Sequence, residues 1–278
     1  MTRTVGKVVV VTGASRGIGR QIAVELAGEG TQVVAVARDG LLLADLVDAL
    51  PGKGHRSFAM DVRDEVAWIE LVADLDRIDG VVAAAGLYGP IGRIDSVDLA
   101  AVRNTFDVNF FGALLAVRSC LPRLIDSGGS AVLFAGGGSE PLPGYDAYLT
   151  SKAAVVRLAE NLAAELAAIG VRVNAVAPGF VATDIHEATL AAGPELAGAD
   201  FYARTVKAMG DGGFPVAEVA ALVAFLISAG SAPLTGRLVS AQWDPWREPG
   251  WLEQASRRDR LTMRRIDGVL YGALGGPL

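Results

Sequence analysis

A single α/β domain built on a doubly wound, seven-stranded parallel sheet is the fold class this sequence predicts, and three observations predict it. Short β-branched runs alternate with Ala/Leu-rich stretches from one end of the chain to the other. The runs are apolar almost throughout, as in strands covered on both faces, rather than alternating with polar residues. The 278 residues slightly exceed the usual single-domain size, yet one such alternation fills them with no fixed-period repeat or low-complexity linker.

Taken in order, the strands fall at 8–12, 32–37, 56–60, 80–84, 130–135, 171–177 and 237–241. Helices such as 18–29 and 148–169 lie between them, each ending near a glycine (Gly30, Gly170) suited to the left-handed cap. Two segments stand outside the alternation. The connection 183–215 is polar and glycine-rich, and loops of that length are usually functional covers. The segment 243–278 follows the expected domain (1–242) and carries Trp243, Trp246 and Trp251, apolar anchors that need a surface to bury them. A subunit interface is the first reading of that extension and a wall of the substrate pocket the second.

Composition narrows the function. With 51% hydrophobic residues and a mean hydropathy of +0.38, the chain has ample apolar surface for a core, which excludes a disordered protein. Its apolar runs look too short for a membrane span, the longest candidate being "ALVAFLISAG". A net charge of −6 argues against nucleic-acid binding. The one basic cluster, "SRRDRLTMRR", reads as a solvated or interface face. Cys120 is the sole cysteine, and His55 and His186 are the only histidines, so neither a disulfide nor a metal site is expected. The start "MTRTVGKVVVV" runs straight into a strand with no secretory cleavage site, and a cytoplasmic location is expected.

Directly after the first strand comes "TGASRGIG". Gly13, Gly17 and Gly19 turn the chain tightly and let backbone approach a pyrophosphate at the N-terminus of the next helix, with Ser15, Arg16 and Ile18 completing the loop. In the first strand-to-helix turn of a doubly wound pattern, this reads as dinucleotide binding, a Rossmann fold. The second strand ends "VAVARDG". An NAD site needs a ribose-binding acid near the end of this strand, where Ala37 offers none; Arg38 follows it, and with Arg16 offers two guanidiniums to a 2′-phosphate. NADP(H) is favoured on this ground and NAD(H) remains open, because Asp39 serves as the ribose acid if the strand runs longer.

With its G-x-x-x-G-x-G spacing, this loop resembles the classical short-chain dehydrogenase/reductase family, over roughly residues 5–242. "MDVRD", "AAAG" at 83–86, Asn109 in "DVNFFG", Tyr148, Lys152 and "NAVAPGFVAT" at 174–183 extend the likeness. The resemblance implies that Asp61 and Val62 hold the adenine, that the backbone around Ala85 and Gly86 flanks the adenine ribose, and that Pro178, Gly179, Val181 and Thr183 close over the nicotinamide. It also implies a small-molecule carbonyl or alcohol substrate and a homodimer or homotetramer.

Tyr148 and Lys152, four residues apart, share a helix face, so the ammonium sits beside the phenol and the cofactor ribose. A neighbouring positive charge lowers a phenol pKa, which suits Tyr148 as acid for carbonyl reduction and base in reverse. By resemblance, Asn109 holds a water that links Lys152 to solvent. The family also places a serine about 13 residues before the tyrosine, to polarise the substrate carbonyl. Ala135 stands there instead, followed by Gly136 and Gly137. This marks an atypical branch without the usual serine. Three readings stay open: Ser139 bends back to substitute; backbone N–H groups of Gly136, Gly137 and Gly138 substitute; or the chain binds NADP(H) as a weakly active or inactive binding or assembly module. Losing one such donor costs about 10²- to 10³-fold in rate. On the first two readings, a serine introduced at 136 restores a hydroxyl near the family position. In the cover, His186, Tyr202 and Arg204 read as solvated side chains best equipped to touch a polar substrate.

Overall fold

A computed structural model describes residues 4–136, 140–257 and 260–263. The chain alternates as expected: β1 (Val8–Thr12), α1 (Gly17–Gly28), β2 (Gln32–Ala37), α2 (Gly40–Ala49), β3 (Arg56–Ala59), α3 (Glu65–Ala73) and β4 (Gly80–Ala83). It continues through α4 (Leu99–Phe106), a π-helical turn (Asp107–Phe111), α5 (Gly112–Ser127), β5 (Ser130–Phe134), α6 (Asp146–Leu166) and β6 (Arg172–Ala177). Last come α7 (Glu187–Ala197), α8 (Ala199–Asp211), α9 (Val216–Ile227), β7 (Leu238–Ser240) and α10 (Trp251–Ala255).

The seven strands form one parallel sheet in the order β3-β2-β1-β4-β5-β6-β7. Because side chains alternate across a strand, each strand feeds two cores. Val9, Val11, Val33, Ala35 and Val82 pack with α1, α2 and α9 on one face. Val10, Val34, Val81, Leu133 and Ala175 pack with α3, α5 and α6 on the other. The strand order reverses between β1 and β4, so the loops leaving their C-terminal ends flank a crevice, the usual place for a ligand in such sheets.

Three expectations change, and the expected end of the second strand is observed. The connection 183–215 is mostly helical, α7 and α8 packing as a pair with a kink at Gly193 (φ 71°). Its Gly, Ala and Pro content hid the helical period. The segment Leu99–Ser127 is one continuous helix of 29 residues, long and apolar enough in composition to cross a membrane. Scattered charges such as Arg103, Asp107 and Arg118 had masked it. Its Ala113, Ala116, Val117, Cys120 and Leu124 instead bury against the sheet. Trp246 and Trp251 are buried in the chain's own core beside α1 and α9, with Trp246 stacked on Phe225 at 5.6 Å. Trp243 alone stays exposed, at 79%. Finally, β2 ends at Ala37, and Asp39 caps α2 by accepting a hydrogen bond from Leu42 N at 3.1 Å. The strand is not extended to make Asp39 a ribose acid.

Candidate active site

The glycine loop is built for close approach. Gly13 (φ 67°) and Gly17 (φ 54°) sit in the left-handed region that disfavours side chains. A Cβ on Gly13 would lie 2.9 Å from Ala85 Cα, and one on Gly19 would run into the Gly13 carbonyl. A Cβ on Gly17 would come within 3.3 Å of the Thr183 methyl, so Thr183 borders the loop directly. At the start of α1, Arg16 makes no side-chain cap and the first turn holds no acid, which leaves the helix N-terminus suited to an anion. Ile18 packs against the core and Ser15 is half-buried.

Neighbouring loops converge on this point. Thr12 Oγ1 accepts the Ala85 N–H at 3.1 Å, tying the end of β1 to Ala85 and Gly86. Asp61 accepts from Arg63 N and Nε through one oxygen and from Nη2 through the other. This pairing holds its carboxyl at about 2. Val62 is buried, and its carbonyl accepts the Trp68 indole N–H at 2.9 Å. Beyond β6, Gly179 (φ 78°) lies so near Gln242 that a Cβ would be 2.7 Å from Oε1, while Val181 bridges to Gly213. Pro178 opens this same stretch. Arg16 lies between Asp39 (3.8 Å) and Asp184 (3.5 Å), and Arg38 is exposed just past β2. Loop and helix end fit a phosphate-bearing dinucleotide.

Tyr148 and Lys152 lie on α6, facing the end of β5. Lys152 is buried and donates to the Phe134 carbonyl at 3.0 Å, its Nζ 5.9 Å from the Tyr148 ring centre. Burial pushes the Tyr148 phenol up to about 12 and the Lys152 ammonium down to about 8. This corrects the expected lowering of the phenol. At that separation desolvation outweighs the ammonium's attraction, so the protein alone keeps the tyrosine protonated. The Tyr148 hydroxyl abuts Gly136, where any Cβ would collide with it.

Asn109 sits in the π-helical turn and is fully buried. Its Oδ1 accepts from Leu87 N (2.9 Å), and its Nδ2 donates to Leu87 O (2.9 Å) and Ser151 Oγ (3.0 Å). Ser151 in turn donates to the Tyr148 carbonyl at 2.7 Å. Both amide protons therefore brace the loop after β4 against the first turn of α6, and one Oδ1 lone pair remains for a water. Ala135 is buried and bonds through its N–H to Val176 O. Ser139, Gly137 and Gly138 lie outside the described residues, as do parts of the basic stretch 256–265.

Several residues escaped the sequence reading. Tyr88 packs edge-on against Tyr148 (4.5 Å) and Tyr145 (5.5 Å). Its hydroxyl lies 3.0 Å from His186 Nδ1. His186 is thus buried rather than solvated, its ring stacked on Phe180 at 3.9 Å. Tyr145 Oη donates to Thr189 Oγ1 at 2.9 Å. Of the other two cover residues, Tyr202 joins the aromatic cluster as a half-buried side chain, and Arg204 is exposed above the Phe201 ring. Ser151 was within reach of sequence reasoning, one helical turn past Tyr148. Tyr88 offered no signal beyond being an aromatic in a glycine-rich loop.

Comparison with known proteins agrees with this architecture. Residues 7–192 match the short chain dehydrogenase family. The 2,3-dihydro-2,3-dihydroxybenzoate dehydrogenase of Bacillus subtilis is 34% identical over 189 residues, covering 65% of this chain and 72% of that protein. An uncharacterized oxidoreductase of Methylorubrum extorquens is 36% identical over 249 residues, covering 87% of this chain and 98% of that one. The structure of carveol dehydrogenase from Mycobacterium avium in complex with NAD superposes with a TM-score of 0.76 at 28% identity, over 86% of this chain and 97% of that one. With two thirds of its length matched and its sheet reproduced, the chain belongs to the short chain dehydrogenase family of oxidoreductases, which act on CH–OH or C=O groups with a nicotinamide cofactor.

Proposed function

We propose that this chain is an NADP(H)-dependent reductase and dehydrogenase of uncharged, ring-bearing ketones and secondary alcohols, with Tyr148 as its acid/base. The observation that carries the reading is Tyr148 itself: a half-buried phenol kept protonated by desolvation, beside Lys152 and against Gly136 at the end of β5. A bound nicotinamide supplies or accepts the hydride. Tyr148 gives its proton to the carbonyl oxygen in reduction and removes it in oxidation. Lys152, still largely protonated at neutral pH, holds the ribose side, and Asn109 carries a water toward it on the remaining lone pair. Pro178, Gly179, Val181 and Thr183 form the wall over the nicotinamide, and 183–215 serves as the cover.

The substrate class follows from what packs with Tyr148. Tyr88, Leu142, Tyr145, Leu149 and Ile185 are apolar or aromatic, and burial is the only cause acting on the Tyr148 phenol. Such a wall favours an uncharged ring over a phosphorylated or acidic substrate. Carveol, named for one similar structure, is an uncharged ring-borne alcohol; the dihydrodihydroxybenzoate named for a similar protein is also a ring-borne alcohol but carries a carboxylate, so it supports the ring and not the absence of charge.

The cofactor preference rests on Arg38 and Arg16 flanking the end of β2, where Ala37 leaves no acid and Asp39 is engaged as a helix cap. Dissociation constants measured by nucleotide fluorescence test it. NADPH is expected to bind at least about tenfold more tightly than NADH, with the order reversed in Arg38→Asp. Equal affinities in the unmodified protein would overturn the preference. A cytoplasmic homodimer or homotetramer is proposed as its state, with light scattering on a sizing column as the check.

A further inference from the structure

Two tyrosines from outside the cover, Tyr88 and Tyr145, receive three of its side chains. His186, at the entry to α7, meets the Tyr88 hydroxyl, Thr189 on α7 accepts from Tyr145, and Phe201 on α8 lies edge-on to Tyr145 at 5.1 Å. Tyr88 and Tyr145 touch each other, and Tyr88 touches Tyr148. From below, the paired hydrogen bonds of Asn109 fix Leu87, the residue before Tyr88. Tyr88 is therefore fixed at its backbone by the Rossmann body and at its hydroxyl by the cover, with its ring against the phenol of Tyr148.

We propose that Tyr88 is a positioning residue for Tyr148, and that His186 sets it: only when 183–211 is seated does the Tyr88–His186 hydrogen bond lock the Tyr148 ring in place. Burial holds the His186 ring down to about 4, so it is neutral at pH 7 and keeps one nitrogen as an acceptor. With the ring proton on Nε2, Nδ1 accepts and the Tyr88 O–H donates. Stacking on Phe180 fixes the plane of the ring. Phe180 is itself tied to the far end of the cover, its carbonyl accepting from Phe214 N at 2.6 Å. The arrangement links seating of the cover to the orientation of the proton donor through one hydrogen bond.

This inference rests on Tyr148 being the acid/base, and the test separates the two. Tyr88→Phe removes only the hydroxyl, and His186→Phe keeps the stack on Phe180 but loses the acceptor. In the ligand-free protein, trypsin cleavage after the exposed Arg204 and Lys207, followed by mass spectrometry, reports opening of the cover without any turnover. Each variant is expected to be cut at least about fivefold faster there. Each is also expected to lose about fivefold or more in kcat with little change in KM, and the double variant no more than the worse single one. His186→Gln, which retains an acceptor, should recover part of both losses. Wild-type cleavage rates in both single variants, effects that multiply in the double variant, or a His186→Gln no better than His186→Phe would overturn the proposal. If Tyr148→Phe keeps full activity while the cleavage pattern holds, the reading of Tyr148 fails on its own and the positioning role falls with it, leaving Tyr88 and His186 a brace of the cover.

Discussion

A methyl group on Gly136 would strike the Tyr148 hydroxyl. A serine at 136 restores a hydroxyl near the family position, but its Cβ meets the phenol before the hydroxyl can help. Gly136→Ser is expected to lower kcat by at least about tenfold, while cofactor affinity stays within about twofold, since the contact is with Tyr148 and not with the glycine loop. Steady-state kinetics beside nucleotide titration reads both, and a rise in kcat would show that the phenol has room to spare. His186 gives a second expectation. Its folded pKa of about 4 lies below its ordinary 6.5, so the unfolded chain takes up a proton first as pH falls. Stability due to this group is complete above about 6.5 and lost as pH drops toward 4. The thermal midpoint should fall across that window, and His186→Gln should flatten part of the fall. An unchanged slope would mean that the ring is not buried as a neutral base.

Among the elements, β1 to β7 were legible because continuous apolar runs bounded by glycines admit little but buried parallel strands. They were placed to within a residue or so at each end. The glycine loop and the Tyr148–Lys152 pair were legible for a similar reason, since local spacing alone sets their geometry. What escaped was non-local or weakly periodic. Tyr88 and His186 are 98 positions apart, so only the folded chain joins them. The helices α7 and α8 were read as loop because glycine and proline interrupt them, although the kink at Gly193 in fact accommodates Pro194. The three tryptophans were read alike as anchors seeking a partner, but sequence does not reveal which face of the tail meets α9. Their substitution should separate them. Trp246→Ala, which empties a buried site between Phe225 and Arg247, is expected to cost about 3–5 kcal/mol and lower the thermal midpoint clearly. Trp243→Ala should leave stability within about 0.5 kcal/mol. Calorimetry of the two variants checks this, and equal losses would contradict the packing of Trp246.

Across the whole molecule, the sheet brings the ends of β1, β4, β5 and β6 to one edge, and there a glycine turn, a buried ammonium and the Tyr148 phenol lie beneath a helical cover. Because the phenol is the proposed proton donor, removing its single oxygen isolates the chemistry from the binding. The most direct measurement is NADPH consumption with a panel of uncharged ring ketones, run on the unmodified chain and on Tyr148→Phe, with NADPH affinity measured in parallel. Affinity is expected to stay within about twofold while turnover falls by about 10²-fold or more, as for loss of a general acid. Turnover by Tyr148→Phe close to that of the unmodified chain would contradict the assignment of Tyr148 and move the chemistry elsewhere.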